Sequence, residues 1–446
     1  MGRDEASRLS RREFLTRSAC LTAALGVFGP LSGCGTGQQE AEQGPGEEFT
    51  GALSVLMGSH MEPVREVARM YEGEYGVEPQ IEEVTTPDLR SKVTTAFLAR
   101  RSPWDSVFLT AELGAEVADK GWLVEATEMI GRVREQGTLV ERSLGAATYE
   151  GTIYAVPWTI GCPILHWNKR LLADAGLDPE APAEWHRTPN SWDTMVEFAR
   201  EVTDVDRNIY GLTDAWAGTH VLWTWGSLLQ MHGGSFLDED GQPAMNSEAG
   251  IAATEKLVDL LHTHEVIDPA VTTYTWVFDA SPGFLNGNRA FFITWPFIAD
   301  LASSAEDSNI AGENGFAPNP AVETSASVDG SEYFAVPVYS ENEDEGWRFI
   351  ELLSSLEGQR VVAESGWAPI HAELLEDEAL LERFPFYAAI RQSYEYPVDG
   401  GWSPDRPVWA EILANQISEA LGRQKSPREA MDDAVRRIRE RREEGQ

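Results

Sequence analysis

At 446 residues, with 42% hydrophobic and 10% aromatic side chains, the chain carries enough apolar material for two cores and is not a disordered polymer. Its formal charge of −38 excludes nucleic acid as a partner, because phosphate backbones are gripped by basic faces. Asp and Glu run along the whole sequence, while Lys is confined to Lys92, Lys120, Lys169, Lys256 and Lys425. That is a solvated acidic surface suited to a halophilic setting, where salt screens self-repulsion; an ordinary acidic secreted protein is the plainer alternative.

The first 34 residues read as an address. Ser10-Arg11-Arg12-Glu13-Phe14-Leu15 has the form of a twin-arginine export signal, and Leu31-Ser32-Gly33-Cys34 has the small-residue pattern of a lipobox. The apolar stretch between them, Ala19 to Phe28, is shorter than the roughly 20 residues of a spanning helix. Residues 1–33 are expected as a cleaved signal peptide and 34–49 as a lipidated tether beginning at Cys34, with Gly35 to Glu48 rich in Gly, Gln, Glu and Pro. The mature chain then sits on the outer face of the cell membrane or in the periplasm, anchored by lipid. Cys20 leaves with the signal, so Cys162 is the one remaining free thiol and reads as a packed small residue.

Regular structure is expected from Leu53-Ser54-Val55-Leu56, a strand ending at Gly58. A helix follows with Pro63 in its first turn, Val64, Val67, Ala68 and Tyr71 on one face, and Gly76 as its stop. Ile81 to Val84 is a second strand, Leu89 to Ala99 a second helix and Val107 to Leu109 a third strand. This alternation predicts a mainly parallel sheet covered on both faces. The pattern continues through Tyr154 to Pro157, a helix near Asn168 to Ala175, and a helix capped by Ser191 that carries Met195, Phe198 and Ala199. The last helix is announced by Ser426-Pro427-Arg428-Glu429, a capping box, and its apolar stripe is Ala430, Met431, Ala434, Val435 and Ile438. No internal repeat is present.

Catalytic signatures are missing: there is no Gly-x-Ser-x-Gly, no phosphate-binding glycine loop and no His-Glu-x-x-His, so no catalytic residue, metal site or cofactor is expected. Tryptophan stands out instead. Fifteen are present, and Trp158, Trp223, Trp225, Trp276, Trp295, Trp367, Trp402 and Trp409 sit beside turns or glycines. Flat rings with a polar edge stack on the apolar faces of sugar rings, although core packing accounts for about half of such residues.

Several ordered motifs resemble the family 1 extracellular solute-binding proteins of ABC transporters, the group containing maltose-binding protein. They are Tyr149-Glu150-Gly151-Thr152-Ile153-Tyr154-Ala155-Val156-Pro157-Trp158, Asn168-Lys169 with Ala175-Gly176-Leu177-Asp178-Pro179, Ser191-Trp192-Asp193, Gly233-Gly234 with Asp240-Gly241, and Phe284-Leu285-Asn286-Gly287 with Ala290 and Trp295. The resemblance covers about residues 52–440. It implies an α/β, type II periplasmic-binding-protein fold: two lobes joined by three crossings, with the ligand in the cleft between them. Lobe one is expected as 50–157 and 322–366, lobe two as 158–321 and 367–446, with Gly366-Trp367 at the third crossing. Implied ligand-binding positions are Ser59, His60, Glu112 and Trp158, then Trp295 and Trp409; Trp223, Trp276, Trp367 and Trp402 join them as candidate stacking surfaces.

The implied function is a non-enzymatic, monomeric, lipid-anchored receptor that closes like a clamshell on a sugar or oligosaccharide and delivers it to the permease subunits of an importer. One position departs from the pattern: Gly161 stands where many sugar binders of the family carry Asp, and His166-Trp167 replaces paired tyrosines. That departure bears on the sugar and not on the receptor class; a secreted glycosidase or lyase acting on the same kind of ligand is a separate rival reading. Within the receptor class a polyamine binder and a ferric-ion binder stay open, the latter through Tyr394 and Tyr396 on one face of a strand.

Overall fold

The computed structural model describes residues 52–444; the expected signal peptide, Cys34 and the tether lie outside them. Eleven strands are described: β1 (Ser54–Gly58), β2 (Gln80–Val84), β3 (Ser106–Thr110), β4 (Thr148–Tyr149), β5 (Thr152–Ile153), β6 (Val156–Thr159), β7 (Ile164–Asn168), β8 (Tyr210–Thr213), β9 (Arg289–Thr294), β10 (Asn314–Ala317) and β11 (Glu332–Ala335). One sheet has the order β2-β1-β3-β11-β6, a second β10-β7-β9-β8, and β4-β5 is a small hairpin.

The expectation of mainly parallel sheets holds only for part of this. β1 is parallel to β2 and β3, and β8 to β9. By contrast β11 is antiparallel to β3 and β6, and β7 to β9 and β10. The exceptions share a cause. A strand reached through a covering helix is delivered parallel to its neighbour. β7 and β11 are instead entered by chain that has just come from the other sheet, and they run against their neighbours.

The local readings mostly stand. The helix Glu62–Tyr75 buries Pro63, Val64, Val67, Ala68 and Tyr71 and closes at Gly76. The helix Pro427–Glu444 buries the expected stripe. At its start Ser426 Oγ accepts from the Glu429 N–H at 3.2 Å while the Glu429 carboxylate accepts from the Ser426 N–H at 2.9 Å. Ser191 does not cap its helix: its hydroxyl donates to the Trp185 carbonyl and accepts from the Ala321 N–H, pinning a loop instead.

Two large cores form. The first gathers residues from Leu53 to Ile164 and from Tyr333 to Val398; the second from Leu165 to Val328 and from Trp409 to Ile438. A third, smaller cluster surrounds Phe284 and Phe292. Residues 367–398, expected in lobe two, pack in the first core. His371 Nε2 lies 2.8 Å from the Ser354 carbonyl, and the Tyr387 hydroxyl donates to the carbonyls of Ala363 and Trp367. The third passage between cores thus follows Val398 rather than Gly366.

Removing the Ser426 cap by Ser426→Ala is expected to cost about 1 kcal/mol, the usual worth of such a cap. Urea unfolding followed by far-UV circular dichroism would measure it, and an unchanged midpoint would remove the cap from the list of stabilising contacts.

Candidate functional site

The ends of the strands place the candidate residues. Glu332 at the start of β11 stands opposite Thr110 of β3 and Thr159 of β6, and β1, parallel to β3, ends beside them. Ser59, His60, Glu112 and Glu332 therefore share one edge of the first sheet, which is where open α/β sheets present ligand-binding loops. His60 turns back over the strand it follows: a Cβ on Gly58 would stand 2.5 Å from its ring, so any larger residue there would push the imidazole aside. Its Nε2 is 3.0 Å from Glu332 Oε2, with the two side chains 24% and 18% exposed. Burial opposes protonation of His60, but the Glu332 charge and hydrogen bond outweigh it and raise the imidazole pKa. The His60 ring lies 5.6 Å from Trp367, which lies 5.1 Å from Trp158.

The second sheet contributes a matching edge. β8 and β9 run parallel, β8 ending level with Phe292 and β9 two residues further on, so Asp214 and Trp295 follow them at one side. Trp295 meets Trp223 edge to face at 4.9 Å, and Trp276 meets His220 at 5.0 Å. His220 and Trp223 are three residues apart where the helix Val221–Met231 begins, so the two aromatic pairs are neighbours. Trp295 also packs closely on the chain between the cores: a Cβ on Gly330 would fall 2.3 Å from its ring. Asp214 is buried and accepts from Thr224 Oγ1 at 2.5 Å, Trp216 Nε1 at 2.6 Å and the Ala215 N–H at 2.7 Å. Burial nonetheless pushes its pKa up to about 7.

Between the edges run the crossings, and a buried carboxylate ties them together. Asp329 accepts from Tyr394 OH at 2.6 Å, Ser331 Oγ at 2.5 Å and Tyr333 OH at 3.0 Å. Tyr394 OH lies 3.0 Å from the Gly161 N–H and 3.1 Å from its carbonyl. The backbone adds Gly330 N–H to Gly161 carbonyl and Asp329 N–H to Val398 carbonyl, both 2.7 Å. Burial raises the Asp329 pKa to about 6 against these partners.

The candidates named from sequence thus fall into groups rather than one ring. Ser59, His60 and Trp367 stand at the first edge; Trp223, Trp276 and Trp295 stand at the second. Trp158 and Trp409 are each 1% exposed and support the walls from beneath, offering no stacking face. Trp225 is wholly core. Glu112 is not an open carboxylate: Arg406 Nη1 donates to its Oε1 at 2.9 Å, and Arg406 lies between the rings of Trp402 and Trp409. Tyr394 and Tyr396 do not converge: the first ends the helix Phe386–Ser393 and turns inward to Asp329, the second faces His186. At Gly161 a side chain would meet open space, so packing does not dictate the absence of Asp.

Glu332, Arg406, Asp214 and Asp329 were missed. Arg406 had a signal, standing among tryptophans at helical spacing; isolated carboxylates in so acidic a chain had none. Two surface hollows lie elsewhere, one lined by Leu171, Glu201 and Arg207, the other by His232, Glu255 and Arg428, and neither includes a residue of the strand-end edges.

A model of the bacterial extracellular solute-binding protein family matches residues 58–360. Among curated relatives, a probable amino-acid ABC transporter periplasmic-binding protein of Sinorhizobium fredii is 25% identical over 60% of this chain and 59% of its own length. The mannitol-binding protein of Pseudomonas aeruginosa is 23% identical over 62% of each chain. The chain therefore spans about three fifths of the length of these relatives. Among solved structures, the maltose-bound MalE3 of T. maritima superposes with a TM-score of 0.75 at 24% identity, covering 87% of this chain and 99% of its own. A ribitol complex from Agrobacterium radiobacter gives 0.72 at 22% identity, covering 86% and 97%. These likenesses establish the two-lobe, type II binding-protein fold.

Asp214 yields a pH prediction. Its carboxyl holds a proton up to about pH 7 in the folded chain against an ordinary value of 3.8. The folded state binds the extra proton inside that window, so this contribution to stability is full below 3.8 and is lost as the pH rises through about 7. Each unit of difference is worth about 1.4 kcal/mol. Unfolding free energies of wild type and Asp214→Asn, measured across the window, should show the wild-type advantage shrinking with rising pH; a constant difference would contradict it.

Proposed function

This chain belongs to the bacterial extracellular solute-binding protein family, and on that premise we propose that it is the receptor of an ABC importer that closes around a sugar, sugar alcohol or oligosaccharide. The observation that carries the reading is a pair of strand-end edges, one on each sheet, that both border the crossings. His60, Glu332 and Trp367 offer a polar wall with one aromatic face, and Trp223, Trp276 and Trp295 offer an aromatic wall, on two sheets connected by crossings. Aromatic faces take the apolar side of a pyranose or polyol while carboxylate and imidazole take its hydroxyls. The mannitol-binding relative and the maltose- and ribitol-bound neighbours support this class.

Lobe one is then the strand set β1–β3, β6 and β11 with the segment up to Val398, and lobe two the remainder. Each lobe supplies one wall, and closure adds the second and excludes water. A solute drives closure only to the extent that it binds the closed state better. Export by the twin-arginine route, anchoring through Cys34, a monomeric state, delivery to permease subunits and a saline habitat complete the proposal. They rest on the sequence motifs and the acidic composition.

A thermal-shift panel of maltose, mannitol, ribitol, glycerol 3-phosphate, putrescine and ferric citrate tests the class. A true solute at 100 times its Kd stabilises the folded state by about 2.7 kcal/mol. Trp295→Ala is expected to weaken that solute by about 2–4 kcal/mol without lowering the unliganded melting temperature, as anchor aromatics do. Normal binding by the variant, or a shift only with putrescine or ferric citrate, would overturn the aromatic-wall reading. Separately, Cys34→Ala is expected to leave the protein exported but released from membranes; a variant that still sediments with them refutes the anchor.

A further inference from the structure

Glu112 and Arg406 join the two lobes without any ligand. Glu112 stands in the first turn of the helix Ala111–Asp119, whose apolar residues belong to the first core, and Arg406 begins the helix Arg406–Leu421 of the second. The pair differs from an ordinary surface bridge, which loses most of its Coulomb energy to the ordering of two mobile side chains. Arg406 is already ordered. Its side chain is 3% exposed, its Nε donates to the Gly400 carbonyl at 2.9 Å, and its guanidinium lies 4.7 Å from the Trp402 ring and 5.4 Å from that of Trp409. Trp402 itself packs against both cores. Glu112 is fixed by its helix, whose N-terminus favours a carboxylate.

We infer that the Glu112–Arg406 pair is an interlobe latch that biases the unliganded receptor toward the closed arrangement. Separating the helices removes the ion pair and leaves Arg406 with the Gly400 carbonyl, its two rings and the more distant charge of Asp399, so the cost of breaking the pair falls on the open state. Whatever closure free energy the latch supplies, the solute need not supply. Glu112 is then a positioning residue, not a ligand contact. The two roles differ in one respect: loss of a ligand contact changes only the bound protein, whereas loss of a latch changes the empty one.

The inference rests on the two-lobe receptor reading, and small-angle scattering of the unliganded mature chain separates the two. Glu112→Gln, half-exposed and nearly isosteric, is expected to fold normally and to show a larger radius of gyration than wild type. Arg406→Lys, which keeps the charge but loses the fork, should fall between them. For whichever panel solute stabilises the wild type, Glu112→Gln should raise Kd about three- to tenfold and leave the saturated radius unchanged. An unliganded radius equal to wild type in both variants overturns the latch, and with solute binding intact it leaves the receptor reading standing. A shifted radius in a protein that binds no panel solute would keep the latch and remove the solute class.

Discussion

Asp329 is the group on which the arrangement of the lobes depends. It is a carboxylate taken out of water where three stretches of chain pass between cores, and it is tolerated because three hydroxyls turn toward it. Those hydroxyls come from Ser331 and Tyr333, one on the crossing and one on the strand it enters, and from Tyr394, next to another passage. Tyr394 in turn holds the backbone of Gly161 in the remaining one. Partners so interdependent cannot be displaced one at a time without leaving a buried polar group unmet, so the crossings behave as a unit.

The walls follow from that unit. Because β7 and β11 are entered directly from a crossing, the ends of β1, β3 and β6 and the ends of β8 and β9 border the passages and not the far rims of the sheets. Trp295 lying on Gly330 makes the connection physical: a second-lobe aromatic rests on the backbone of the hinge, two peptide bonds from Glu332 of the first wall. The candidate residues Trp295 and Glu332 thus border the same stretch of backbone that links the two cores.

Much of this was legible beforehand, and the parts that were not have a common reason. Elements with local signals came through: the Glu62–Tyr75 face with its Gly76 stop, and the capping box at Ser426 with its buried stripe. Ser191 failed because its hydroxyl found the Trp185 carbonyl and the Ala321 N–H, partners supplied by the fold and not by its own helix. The boundary at Gly366 failed for a similar reason, since nothing in Trp367 to Val398 announces which core it fills. At the site, aromatic residues were visible as types. Burial of Trp158 and Trp409 and the pairing of Glu112 are decided by contacts from distant sequence.

The interleaving of the cores also governs how the molecule can be built. β11 lies between β3 and β6 in the first sheet, yet it follows them by well over 150 residues of chain that belong mostly to the other lobe. Until β11 arrives, β3 and β6 expose unpaired edges, and the nascent first lobe has a slot where an interior strand belongs. The second core likewise waits for Trp409 to Ile438 near the end of the chain. Neither lobe is a unit that a ribosome can finish before starting the next, so contacts of long sequence separation are closed late and together. A hinge made from three crossings instead of one thus defers completion of both cores to the later part of the chain.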